Sequence, residues 1–259
     1  MTIDWSGTAT DYARYRAGFP DEFYERLAGY EFIGRNGESR RCLDLGTGTG
    51  ALARGFARRG WRVTGIDTSA DMMQAARHLD AAAGVEIDYA VANAEATGQP
   101  DASFDMVAAA TCWHWFDRAR AAREARRVLV DRGALVICAM DWSEEPGNII
   151  EATTALIAQH NPAWLSSGGS GLRFAWADEL TSAGFMVVDR FRFTAAVPYS
   201  HAAWRGRIRA SAGVAPSMSP EAVAAFDRAH AALLQERFPA EPLQVPHRIS
   251  AILARRASA

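Results

Sequence analysis

The sequence predicts an α/β fold: a doubly wound, seven-stranded sheet with its last strand antiparallel, plus helical cap insertions. Three observations predict it. From residue 41 onward, short apolar runs alternate with amphipathic segments, the pattern of parallel β/α units. The first run ends in a glycine-rich turn that opens a helix. Two further apolar runs, 185–197 and 244–255, lie far downstream and supply the closing strands. A chain of 259 residues with 49% apolar and 22% charged side chains can bury a large core, which excludes disordered and fibrous classes.

The elements follow in order. Pro20 opens a helix with Phe23, Leu27 and Tyr30 at three- and four-residue spacing. Strands are expected at 42–45, 61–66, 85–91, 104–110 and 134–140. Helices are expected at 50–59, at 69–79 with Met72, Ala76 and Leu79 on one face, and at 117–129. Residues 149–159 read as a helix and 166–171 as a Gly/Ser loop. Residues 178–183 form a short helix stopped by Gly184. In the strand at 185–197, Phe191 and Phe193 alternate with Arg190 and Arg192. Helices at 200–211 and 220–238 precede the last strand. The expected organisation is a single domain, 1–259, with an N-terminal helical lid (1–39), a cofactor-binding core (40–141) and cap insertions (142–173 and 199–240).

Composition excludes several chemistries. Net charge is −2, and all 28 basic residues are arginine. Without lysine, Schiff-base chemistry and a P-loop are impossible. The near-neutral balance argues against nucleic acid as a partner, and the helix carrying Arg118, Arg120, Arg123, Arg126 and Arg127 reads as a solvated face. The longest apolar runs are too short to span a membrane, and the N-terminus lacks a signal-like charged and apolar pair, so a cytoplasmic protein is expected. Cys42, Cys112 and Cys138 are read as reduced core thiols, and no metal site is expected.

The segment Cys42-Leu43-Asp44-Leu45-Gly46-Thr47-Gly48-Thr49-Gly50 is a strand entering a glycine turn, with the N–H groups of a helix start aimed at a ligand. Gly46, Gly48 and Ala51 also satisfy a dinucleotide fingerprint, so a nicotinamide-dependent oxidoreductase stays open. Asp44 weighs against it, because a carboxylate there opposes a pyrophosphate but attracts a ligand bearing an amine and a sulfonium; a unit-charge pair at ~4 Å gains about 4 kcal/mol at an effective dielectric of 20. Asp67 closes the second strand 21 residues beyond Gly46, where a carboxylate accepts both ribose hydroxyls.

These residues resemble the class I S-adenosylmethionine-dependent methyltransferases of the small-molecule group termed type 11, whose fold is Rossmann-like. Asp44 to Gly50 matches the first motif of that family, and Gly65-Ile66-Asp67-Thr68-Ser69 with Met72 and Met73 matches the second. Ala92-Asn93-Ala94-Glu95 and the run from Asp101 to Val107 resemble the third-strand loop and fourth strand. The resemblance implies S-adenosyl-L-methionine as cofactor, with Asp44, Gly46, Thr47, Gly48 and Gly50 at its methionine end. It places Asp67 and Thr68 at the ribose, Met72 or Met73 on adenine, and Asn93 with the Ala94 backbone at the adenine edge. Asn93 replaces the usual aspartate, and its amide oxygen can accept from the adenine amine. Tyr12, Tyr15 and Arg16 resemble an N-terminal segment that folds over the cofactor. A non-catalytic protein that binds this cofactor is the remaining alternative.

The substrate is expected beyond the fourth strand, where Thr111-Cys112-Trp113-His114-Trp115-Phe116-Asp117 follows. His114 is its only titratable base and is the candidate catalytic residue. It could equally shape the loop through a backbone hydrogen bond. Thr111 borders the cofactor, while Tyr12, Trp113 and Trp142 are candidate substrate contacts. The segment lacks the proline pair usual in nucleobase amino methyltransferases, and Trp142, Trp164, Trp176, Tyr199, His201 and Trp204 of the insertions suit a closed, mostly apolar pocket, so a small aromatic or heterocyclic acceptor, methylated on O or N, is expected. Oligomeric state, monomer or homodimer, stays open.

Overall fold

The computed structural model describes residues 15–30, 33, 40–164 and 172–257. In chain order the elements are α1 (Asp21–Ala28), β1 (Arg41–Leu45), α2 (Ala51–Ala57), β2 (Arg62–Asp67), α3 (Ala70–Ala83), β3 (Asp88–Val91), β4 (Phe104–Ala110), α4 (Arg118–Val128), β5 (Leu129–Trp142), α5 (Ile149–His160), α6 (Trp176–Ser182), β6 (Phe185–Tyr199), α7 (His201–Arg209), α8 (Pro220–Arg237) and β7 (Leu243–Arg256). A 3₁₀ turn, Trp113–Trp115, separates β4 from α4.

The seven strands form one sheet in the order β3-β2-β1-β4-β5-β7-β6. Strands β1 to β5 pair in parallel. β7 runs the other way: Ser143, just past β5, donates to Pro246 near the start of β7, and Ala257, just past β7, donates to Gly184 before β6. The order reverses between β1 and β4, which opens a crevice at their carboxyl ends.

The chain forms two compact units. One takes residues 18–140, 170–193 and 249–259; the other takes 1–17, 141–169 and 194–248. The expected insertions at 142–173 and 199–240 fall largely in the second. The core of the first gathers Leu43, Leu45, Ile66, Val107, Trp113, Leu135, Ile137 and Ile252, all essentially inaccessible. Helix α1 packs within the first unit: Phe23, Tyr24 and Leu27 are buried, and the Tyr24 ring meets Phe56 edge-on at 5.2 Å.

Several expectations need correction. β5 begins five residues early, at Leu129, because an irregularity between Phe104 and Met106 lets residues 129–133 join the ladder. The inner face of α3 carries Met73, Ala76 and Asp80 in place of Met72 and Leu79. Asp80 is drawn inward by Arg54, 2.8 Å away. Cys42 and Cys138 are buried free thiols, but Cys112 is only half-buried and lies at the crevice, where its thiol donates to the Leu45 carbonyl at 3.1 Å. The arginines of α4 are mostly engaged: Arg118 pairs with Glu179, and Arg127 with Glu124 and Asp101.

Candidate functional site

Leu45 leads into a turn whose three glycines all take positive φ: Gly46 at 60°, Gly48 at 54° and Gly50 at 74°. Side chains with a Cβ are strained there. The three have different surroundings. A Cβ on Gly46 would meet Cys112 and Phe116, and one on Gly50 would lie 2.3 Å from the Tyr89 hydroxyl oxygen. Among the described residues, nothing lies within 4 Å of a Cβ placed on Gly48. The open face of the turn therefore sits at Gly48.

Asp67 holds this turn to the next one. Its Oδ2 accepts from the Gly48 N–H and its Oδ1 from the Ser69 N–H, each at 2.9 Å. Each carboxylate oxygen keeps a second lone-pair direction for a ligand donor. Ser69 caps α3 by accepting from the Met72 N–H. Met72 is half-buried, and Thr68 and Asn93 are exposed. Ala94 is buried in the core with its side chain turned inward. The Asn93 carbonyl accepts from Ala96.

Asp44 and Thr47 do not reach out as the motif alone implied. Asp44 is 1% exposed and accepts the Thr47 hydroxyl at 2.7 Å, while the Thr47 N–H donates to the Ile66 carbonyl. Both side chains brace the turn from inside. The Asp44 Oδ1 is buried and makes no hydrogen bond of normal geometry, the Ala53 N–H and the Arg54 charge only partly offsetting its burial. Burial pushes the Asp44 carboxyl up to about 7; the Thr47 hydroxyl opposes this and the charge of Asp67 adds to it.

Beyond β4, Thr111 adopts a φ of 59°, an outlier for a β-branched residue, while its N–H donates to the Cys138 carbonyl. Its hydroxyl is buried without a partner. Strain of this kind persists where the surroundings dictate the backbone. Trp113 is corrected from a substrate contact to a core residue: it is 2% exposed and packs edge-on against Phe116 at 5.8 Å. Burying an indole removes about as much apolar surface as any side chain can, so the core claims it. Trp115 is 79% exposed instead. His114 is half-buried between them, its ring 4.8 Å from that of Trp115.

The first unit thus brings together Asp44, Gly46, Thr47, Gly48, Gly50, Asp67, Thr68, Met72, Asn93, Ala94, Thr111, Trp113 and His114 along the carboxyl ends of β1, β2, β3 and β4. Tyr15, Arg16 and Trp142 belong to the second unit. There Tyr15 lies against α7, where a Cβ on Gly206 would come within 2.3 Å of its ring, and Trp142 meets Trp204 edge-on at 5.6 Å. Tyr12 lies outside the described residues. Sequence reasoning missed Tyr89, which fills the space under Gly50 and Gly65, and named Ser69 and Phe116 only as members of their segments without the cap of Ser69 on α3 or the contact of Phe116 with Gly46.

Residues 43–137 match the methyltransferase domain family. An uncharacterized methyltransferase of Mycobacterium tuberculosis is 32% identical over 156 residues, 58% of this chain and 60% of that one. The demethylmenaquinone methyltransferase of Thermus thermophilus is 40% identical over 101 residues, 38% of this chain and 46% of that one. The chain thus spans about 60% or less of the length of these relatives. Among solved structures, a provisionally assigned type II methyltransferase from Anaeromyxobacter dehalogenans superposes with a TM-score of 0.64 at 20% identity, covering 95% of this chain and 100% of that one. No described helix is long and apolar enough to cross a membrane, and no cluster of metal-ligating side chains occurs among the described residues.

Proposed function

We propose that residues 43–137, which match the methyltransferase domain family, are the core of a class I S-adenosylmethionine-dependent methyltransferase, and that the whole chain transfers a methyl group from that cofactor to an oxygen or nitrogen of a small organic acceptor. The observation that carries this reading is the open face at Gly48 beside a carboxylate that still has lone pairs to offer. The residues fit the cofactor. Asp67 would take the ribose hydroxyls, Met72 would pack on adenine, and Asn93 with the Ala94 backbone would address its edge. Asp44 would face the cationic methionine end through the turn, its buried Oδ1 supplying the charge complement. The bound cofactor supplies an electrophilic methyl carbon on a sulfonium sulfur.

The chain's own residues would then position and deprotonate. Thr111 and the turn after β4 would border the acceptor, and a nitrogen of His114 would take the proton that the acceptor's O–H or N–H releases. Alignment and exclusion of water would supply most of the rate. The Thermus relative is named for a demethylated menaquinone, and that name supports a ring-bearing acceptor here.

Calorimetry tests the reading. S-adenosylhomocysteine should bind, and Asp67→Ala should weaken it by about 10- to 100-fold, the loss of charge-assisted hydrogen bonds worth ~1.5–3 kcal/mol. Binding of NAD with no binding of S-adenosylhomocysteine would overturn it in favour of an oxidoreductase. Binding without turnover on any acceptor would leave a cofactor-binding protein.

A second result concerns pH. A cationic ligand binds the ionised form of Asp44 better, so binding releases a proton wherever that carboxyl is protonated in the free protein. Affinity for S-adenosylmethionine should therefore rise by up to about tenfold between about pH 6 and about pH 7.5, around the value near 7 that burial imposes. Asp44→Asn should flatten the profile. A wild-type profile already flat over that range would show that Asp44 does not sense the ligand.

A further inference from the structure

Helix α7 carries three arginines at alternating positions, and they have different partners. Arg205 and Arg209, four residues apart and on one face, both reach Asp227 of α8. Arg207 points the other way, and among the described residues no carboxylate or hydrogen-bond acceptor meets it. Its guanidinium lies 5.1 Å from the centre of the Trp142 ring. Burial pulls its pKa down, with the nearby Tyr199 hydroxyl opposing that shift. Enclosing a guanidinium without an anion is costly, and structures keep such an arrangement where something else supplies the charge.

The surroundings of Arg207 are aromatic and short of acceptors. Trp204 is fully buried, packs edge-on against both Trp142 (5.6 Å) and Tyr199 (5.3 Å), and leaves its indole N–H without a partner. Tyr199 stacks on His247 at 6.1 Å. The Nδ1 of His247 lies 3.0 Å from the Val245 carbonyl. Burial, with the Arg207 charge adding to it, holds His247 down to about 4, so it adds no second cation at neutral pH. One half-exposed ring, one enclosed guanidinium and one orphaned indole N–H are thus gathered in a single cluster. Each donor lacks an acceptor, and Trp142 and Arg207 keep partial access to solvent.

We propose that this cluster is an anchor for the carboxylate of a planar organic acid, with Arg207 binding the carboxylate, Trp204 N–H as a further donor and Trp142 as the stacking face. A guanidinium fork matches a carboxylate in two parallel hydrogen bonds, and a flat acid fits beside an indole face. The anchor lies wholly within the second unit and stands independently of the methyltransferase reading.

The test uses benzoate and trans-cinnamate as probes, each against its neutral amide, on the full-length protein at constant ionic strength. Both acids should raise the melting temperature and bind by calorimetry at least tenfold tighter than their amides. Arg207→Gln should reduce acid binding at least tenfold while leaving the dissociation constant for S-adenosylhomocysteine within twofold. Equal binding of acid and amide, no binding of either acid, or an unchanged acid affinity in Arg207→Gln would each overturn the proposal. Should Arg207→Gln fail to fold, Arg207→Lys decides: it keeps the charge without the fork and should retain acid-over-amide preference at reduced affinity, whereas full wild-type affinity would refute bidentate anchoring. Acid selectivity in a protein that does not bind S-adenosylhomocysteine would sink the methyltransferase reading and leave the anion anchor standing.

Discussion

His114→Ala should slow methyl transfer by about 10²- to 10⁴-fold with little change in cofactor affinity, if the imidazole takes the acceptor's proton. The geometry makes this test clean in one respect. His114 sits in a single 3₁₀ turn whose first residue, Trp113, is locked in the core, so removing the imidazole leaves the turn's anchor in place. His114→Gln separates two roles. Glutamine keeps a hydrogen-bonding group of similar reach but cannot accept a proton at neutral pH, so rescue of most of the rate would mean that His114 only orients the acceptor. The neighbouring ring offers a third outcome. Trp115 is the exposed tryptophan and lies against His114. A rate that collapses in Trp115→Ala and survives in His114→Ala would assign the acceptor to a ring face. Trp113→Ala is uninformative here, because emptying a core site of that size costs about 3–5 kcal/mol of stability by itself.

Gly50→Ala should cost roughly 2–5 kcal/mol of folding stability, against about 1–2 kcal/mol for Gly48→Ala. Both positions have positive φ, so the backbone penalty is shared. The difference lies below the turn. A methyl on Gly50 would collide with the Tyr89 hydroxyl and come within 2.9 Å of Arg54, which is paired with the buried Asp80. Tyr89 also fills the space under Gly65, where a Cβ would come within 2.7 Å of its ring, so a shift away from Gly50 toward that side is blocked. At Gly48 a methyl meets none of the described residues and would project into the open face instead. Urea denaturation of the two variants checks the ranking, and S-adenosylhomocysteine affinity checks its complement. Gly48→Ala should fold and bind poorly. Equal stability losses at the two glycines would show that Tyr89 yields, contrary to its enclosure.

Much of the site was legible because its residues are close in sequence and the chemistry demands their types. A strand, a glycine turn and a strand-ending acid place Asp44, Gly48 and Asp67 together whatever surrounds them, since parallel β/α units bring the carboxyl ends of β1 and β2 side by side. The antiparallel β7 followed from one late apolar run. Residue type did not show which way each side chain turns. Trp113 and Trp115 are identical in type and two positions apart, yet one is core and the other solvent-exposed, because the 3₁₀ turn carries them to opposite sides.

What the sequence determined by itself is the local geometry of the glycine turn and its neighbouring strand ends: local periodicity, glycines that alone tolerate left-handed backbone, and acids at strand ends. Those features are set within a few residues of chain, so a one-dimensional reading captures them. Only the tertiary structure decided the meaning of Arg205, Arg207 and Arg209. In sequence they are three equivalent arginines on one helix. In the folded chain Asp227, eighteen residues beyond Arg209, neutralises two of them and leaves the third against Trp142. Partnering of charge is a matter of distance in space, and residues far apart in the chain set it.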